Sequence, residues 1–172
     1  MSAKKSTKST KSVTRNQIIT AFMEQVLVEE KLPKSVFKFC KENNMSEAEF
    51  YNFFGSFDGL QQEIWNSFFD HSMQLAHKNK EYETFSNQEK MLTFFYTFFE
   101  MLTANRSYVL FALTEQRDLM KNMKQLKGLR NRIKEFAGDL VADANSEKQL
   151  KILKQPVSVF SEGAWLQTLF IL

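Results

Sequence analysis

Chain breakers are scarce in this sequence: five glycines and two prolines are spread over 172 residues. Turns draw heavily on these two residues, so few of them means few turns and long uninterrupted segments. Within those segments apolar residues recur in steps of three and four, the period of a helix, not the alternation of a strand. Ile18, Phe22 and Val26 run beside Ile19, Met23 and Leu27; Leu60, Ile64 and Phe68 run beside Trp65, Phe69 and Met73. The chain therefore reads as all-α. Eighteen phenylalanines add a second demand. That much ring surface has to be buried in a core, a cavity or an interface.

Three capping boxes mark helix starts: Thr14 with Gln17, Ser46 with Glu49, and Ser86 with Glu89. In each, two side chains three residues apart satisfy backbone N–H groups that the first turn leaves unpaired. The first helix is expected from Thr14 to the Lys31-Leu32-Pro33 stop, and a short second one from Ser35 to Asn43. Asn43-Asn44-Met45 reads as a tight turn, because Asn tolerates the left-handed conformation. The third helix is expected to run through Phe50, Tyr51, Phe53 and Phe54 to Gly55-Ser56, and the fourth from Asp58 to His77. Met91 to Thr103 is apolar on every side, the mark of an enclosed helix. A helix over 107–119 follows, then Leu126, Leu129, Ile133, Phe136 and Leu140 at helical spacing, then a last segment from Ser146, interrupted at Pro156.

Residues 1–12 are Lys, Ser and Thr with little to bury, a flexible basic arm carrying Lys4, Lys5, Lys8 and Lys11. No apolar stretch follows it, so it is not a secretory signal. No run approaches the ~20 residues that span a bilayer, so no membrane insertion is expected. The single cysteine, Cys40, excludes an internal disulfide framework and fits a reducing, cytoplasmic setting. It falls on the apolar side of the second helix and reads as core. His71 and His77 lie six apart on different faces of one helix, so no metal site is expected, and no nucleophile or phosphate-loop motif stands out. The chain reads as no enzyme and as needing no cofactor.

The stretch from Ser35 to Leu60 resembles the DNA-binding signature of the TetR family. Its capped helix, short turn, second helix with Tyr51 and Phe54, and Ser56-x-x-x-Leu60 match in order and spacing. The resemblance covers about residues 14–65. It implies a three-helix helix-turn-helix module over 13–58 and a helical ligand-binding and dimerisation domain over 59–172. It further implies a recognition helix in the major groove of a two-fold operator in double-stranded DNA, with Lys34, Ser35, Lys38, Ser46, Glu47, Tyr51 and Asn52 as DNA-contacting residues. Lys34, Lys38 and Lys41 share one face of the second helix, where cations neutralise phosphates. The same lysines also suit a merely solvated face. The sequence departs from the family pattern at Asn44, where Gly is usual, at Phe53 for His, at Phe57 for Lys, and in the acidic Glu47 and Glu49.

For the body, the resemblance implies a small apolar effector and homodimerisation through the last helices; family members usually carry one more helix after this point, so the chain reads as a shortened version. Candidate ligand-binding residues are Phe68, Phe94, Phe95, Tyr96, Phe98, Phe99, Tyr108 and Phe111. Rings at helical spacing equally suit packed core. Trp165, Leu169, Phe170 and Ile171 form an apolar run that a helix pair would cover. The expected function is a DNA-binding repressor released by its effector. The alternative is a TetR-fold lipid or isoprenoid binder that has lost DNA binding, which the acidic recognition helix favours.

Overall fold

All three capping boxes form. Gln17 donates its backbone N–H to Thr14 Oγ1 at 3.3 Å while Thr14 N–H reaches Gln17 Oε1 at 2.9 Å. Ser46 and Ser86 make the same reciprocal pairs with Glu49 and Glu89. The computed structural model describes residues 13–115, 119–146 and 156–172. The basic arm over 1–12 lies outside them. The described residues are all-α, with no strand among them. They divide into two units, the first ending at Phe57 and the second beginning at Asp58.

The first unit holds α1 (Arg15–Glu29), α2 (Val36–Glu42) and α3 (Glu47–Tyr51). α1 ends on Glu30, whose φ of 52° is left-handed. Ser35 caps α2, accepting from Lys38 N–H at 3.2 Å. Asn44 takes the left-handed turn with φ 54°, as its residue type predicts. α3 stops at Tyr51, short of the expected Phe54. Beyond it the N–H groups of Phe53 and Phe54 converge on one acceptor, the Phe50 carbonyl, and close a turn. The core is aromatic. Phe22, Phe39 and Phe50 each stand 5.6–5.7 Å from the Phe57 ring. Phe57 itself is half-buried and packs its ring against the three buried ones. Burying one such ring contributes ~2 kcal/mol.

The second unit holds α4 (Phe57–Ala76, from Asp58 on), a 3₁₀ turn (Tyr82–Thr84), α5 (Asn87–Ala104), α6 (Arg106–Thr114), α7 (Leu119–Gln125), α8 (Lys127–Ser146) and α9 (Val157–Ile171). α7 was not expected as a separate helix, and α6 ends earlier than 119. Phe69 of α4, Phe94 of α5 and Phe136 of α8 meet in one ring cluster, with Phe94 5.2 Å from Phe69 and 5.3 Å from Phe136. Leu129, Ile133, Ala137 and Val141 form the buried stripe of α8. α9 lies close against α8 because Gly138 has no side chain: a Cβ there would stand 3.3 Å from Ser161 Oγ and 3.4 Å from Val157 Cγ1. Glu162 of α9 ties back to α8 through Arg130 at 2.9 Å and through Lys134.

Two expectations need correction. α5 is not enclosed: Leu92, Tyr96 and Phe99 face outward. Its packing on α4 and α8 consumes only the side that carries Phe94 and Phe98. Trp165 is not part of an exposed run. It is 4% exposed, on the buried side of α9, whereas Phe170 is 91% exposed.

Candidate functional sites: a helix-turn-helix surface and a cleft in the body

In the first unit, the capping serines fix where the candidate DNA-contacting residues stand. Ser35 and Ser46 both spend their hydroxyls on caps, so each marks the start of a helix. Lys34, Lys38 and Lys41 are all exposed on or beside α2. Lys38 pairs with Glu42 one turn on, at 3.4 Å. Glu47, Tyr51 and Asn52 are exposed on and just after α3. Glu49 behaves differently: it accepts from Ser46 N–H at 2.8 Å and from the Ser46 hydroxyl at 2.7 Å. Those bonds hold its carboxyl below the usual range. The two acidic residues of α3 therefore divide, Glu49 serving the cap and Glu47 facing outward.

α2 is held to α1 by a polar clasp that spacing rules do not reveal. Gln25 donates to Glu29 at 2.9 Å and to Glu42 at 2.7 Å, and accepts from the Asn43 amide at 2.9 Å. Asn43 also donates to the Phe39 carbonyl at 2.9 Å. Cys40, beneath this surface, is buried. Burial first, then the Glu47 and Glu49 carboxylates, push its thiol up and keep it protonated.

In the second unit, a cleft of about 640 Å³ opens between α5, α8 and α9. Ala137, Val141 and Ala144 recur every three to four residues along α8 and make a floor of small side chains. Met91, Leu92 and Phe95 of α5 form one wall, and Phe160 of α9 stands opposite. Asn87 and Gln88, at the start of α5, are its polar lining. Asn87 donates to the Leu140 carbonyl at 2.6 Å, fixing that end of α5 to α8. Among the described residues, none that lines the cleft is charged.

Of the eight residues expected to bind ligand, Phe95 lines this cleft. Phe68, Phe94, Phe98 and Tyr108 are buried side chains. Tyr96 and Phe99 are exposed, and Phe111 is half-buried. The Tyr108 hydroxyl is buried without a hydrogen-bond acceptor or donor, and burial drives its pKa up. Nearby in chain order, Trp65 Nε1 donates to Gln125 Oε1 at 3.0 Å and Gln125 donates on to the Ala112 carbonyl at 2.8 Å, stitching α4, α7 and α6 together. Sequence reasoning missed Asn87, Ala137, Val141, Ala144 and Phe160. The one available signal was the small-residue spacing along α8.

Residues 90–172 match the family model described as tetracyclin repressor-like, C-terminal domain. Over these residues the chain is similar to a TetR-family C-terminal domain. The match takes in α6 to α9 and nearly all of α5, hence most of the cleft's walls. The all-α architecture of this TetR-like chain agrees with it. No curated protein and no solved structure matches the chain. Among the described residues, no helix is long and apolar enough to cross a membrane. No cluster of potential metal ligands occurs among them either.

Proposed function

We propose that this TetR-like chain is a homodimeric DNA-binding transcriptional regulator, acting as a repressor that a small apolar effector releases. The observation that carries the reading is the combination of two halves. A TetR-family body over 90–172 follows a unit in which capped α2 and capped α3 flank a turn at Asn44. In that arrangement α3 enters the major groove, with Glu47 and Asn52 toward base edges. Lys34, Lys38 and Tyr51 meet phosphates, and Ser35 and Ser46 set the register of the two helices. Two copies then address half-sites about one helical turn apart. The effector acts by favouring a state in which the two recognition helices no longer match that spacing. The protein carries out no catalysis and works in the cytoplasm.

The test is selection from a random duplex pool near physiological salt. The reading expects enrichment of a two-fold sequence whose binding falls when an apolar effector is supplied. Recovery of no preferred duplex sinks it. The second reading, a lipid or isoprenoid binder without DNA activity, is favoured by one specific feature. Glu47 is exposed at the start of α3, and Lys38 is already paired with Glu42.

A further inference from the structure

The outward face of α5 carries side chains that a solvated helix face ordinarily does not. Leu92, Tyr96 and Phe99 step by four and three, so they form one stripe, and they are 58%, 67% and 54% exposed. Thr103 continues the stripe four residues on, its hydroxyl already donating to the Phe99 carbonyl at 2.9 Å. Leu92 to Thr103 spans three turns of helix, about 16 Å. Phe94, Phe98 and Leu102 are buried on the opposite side of α5, which fixes the direction in which the stripe points.

The two edges of the stripe differ. Glu89 and Glu100 lie along one edge, both exposed. Bonds from Ser86 hold the Glu89 carboxyl below the usual range, so it is charged at neutral pH. Met91 and Phe95 lie along the other edge, where α5 turns into the cleft. Lys90, the one cation in the α5 sequence, points elsewhere, its Nζ standing 5.9 Å from the centre of the Tyr82 ring.

A second α5 does not satisfy this surface. An antiparallel two-fold pair brings like edges together, so Glu89 of each copy would stand beside Glu100 of the other. A parallel pair brings unlike edges together and presses the carboxylates onto Met91 and Phe95, away from water and without a counter-charge from that helix. A helix of different sequence, apolar on one face and with Lys or Arg along one edge, meets both the stripe and the carboxylates.

We propose that the outward face of α5 is a docking surface for a basic-edged amphipathic helix of a partner protein. The partner's apolar residues, at i, i+4 and i+7, cover Leu92, Tyr96 and Phe99. Two of its cations, about three turns apart, meet Glu89 and Glu100. The rings supply most of the affinity, and the charges set partner choice and direction. Neither DNA binding nor an effector is required for this contact.

Selection from a displayed library of helical peptides tests the surface, with the full-length chain as bait. The peptides are eighteen residues long, with leucines at i, i+4, i+7 and i+11 and random residues along both edges. Wild type should enrich peptides with Lys or Arg at two edge positions about three turns apart, and an enriched peptide, made synthetically, should bind in fluorescence anisotropy. Tyr96→Ser combined with Phe99→Ser should keep the helical spectrum, since both side chains are exposed, and should weaken that peptide at least tenfold. Glu100→Lys should weaken it at least fivefold, and should bind the version with one edge Lys changed to Glu more tightly than wild type does. A purely structural role for Glu100 would not give that reversal. Enrichment of nothing, or of peptides without a basic edge, overturns the docking face. So does a peptide that binds the double variant as tightly as wild type. Sedimentation velocity should give wild type and the double variant the same state of association. If wild type associates and the double variant does not, a second copy covers this face and the partner helix is overturned.

Discussion

Asn43 donates its side-chain amide to Gln25 Oε1 at 2.9 Å, joining the end of α2 to the middle of α1 across eighteen residues of chain. The same Gln25 amide serves Glu29 and Glu42. α2 is only seven residues long and has no stability of its own. Its placement depends on the ring cluster beneath and this clasp beside it. Gln25→Ala should therefore lower stability by about 1 kcal/mol, the net worth of such a bond. Asn43→Ala should cost a similar amount, and the double variant should cost less than their sum. Chemical denaturation followed by circular dichroism measures all three. Strict additivity would mean that the two side chains do not act as a pair.

Glu49 and Glu89 each accept two bonds from the serine that caps their own helix, and those bonds hold both carboxyls below the usual range. A depressed folded-state pKa means the folded chain holds its protons less tightly than the unfolded one. The stabilisation is present above the unfolded carboxyl pKa and is lost as pH falls through the lowered folded value. Ser86→Ala removes the hydroxyl bond, the larger of the two that depress Glu89, and leaves the backbone N–H bond in place. Its carboxyl should return toward the ordinary value, and the loss of melting temperature on acidification should shrink. The cap itself is worth ~1 kcal/mol at neutral pH. NMR titration of the Glu89 side chain reads the pKa directly, and an unchanged value in Ser86→Ala would contradict the assignment.

Trp165 and Leu166 are neighbours in sequence with opposite roles. Trp165 is enclosed between α9 and its own protomer, and Leu166 points outward. Trp165→Ala should cost roughly 3–5 kcal/mol by leaving a cavity. Leu166→Glu should leave the stability of the single chain nearly unaltered and, on the homodimer reading, give monomers. Thermal melts and light scattering on the two variants separate these effects. A monomeric but stable Trp165→Ala would reverse the assignment of the two faces.

That pair also shows what sequence reasoning reaches. The capping boxes were legible because both members lie within one turn, and the left-handed turn because Asn44 is of the type that tolerates it. Burial of Cys40 followed from its place on a short amphipathic stripe. The end of α9 was not legible, since apolar residues occupy both its faces. Which face turns inward is decided by Gly138 on another helix, where the missing side chain admits Val157 and Ser161. The cleft is harder still. It exists because Ala137 and Ala144 lack volume, and counting phenylalanines does not reveal an absence. The residue-level resemblance to the TetR family was drawn over 14–65, whereas the family match falls on 90–172, where the signal is spread thinly over many helical positions.

The Lys38–Glu42 pair gives the DNA reading its sharpest test. Both side chains are substantially exposed, so the pair itself contributes little, about 0–1 kcal/mol. Near a duplex it matters more, because Lys38 has a phosphate to meet and Glu42 repels the same phosphate. Glu42→Gln removes the repulsion and frees Lys38, so affinity for all duplexes should rise. Lys34→Ala and Lys38→Ala should weaken binding to all duplexes, and each lost contact should reduce the slope of log affinity against log salt by about 0.9. Glu47→Gln and Asn52→Ala should instead change which sequence is preferred, since both stand where base edges are read. Fluorescence anisotropy over a salt series distinguishes the two classes. If Glu42→Gln leaves affinity unchanged and neither lysine variant alters the slope, α2 does not lie against the phosphate backbone and the repressor reading falls.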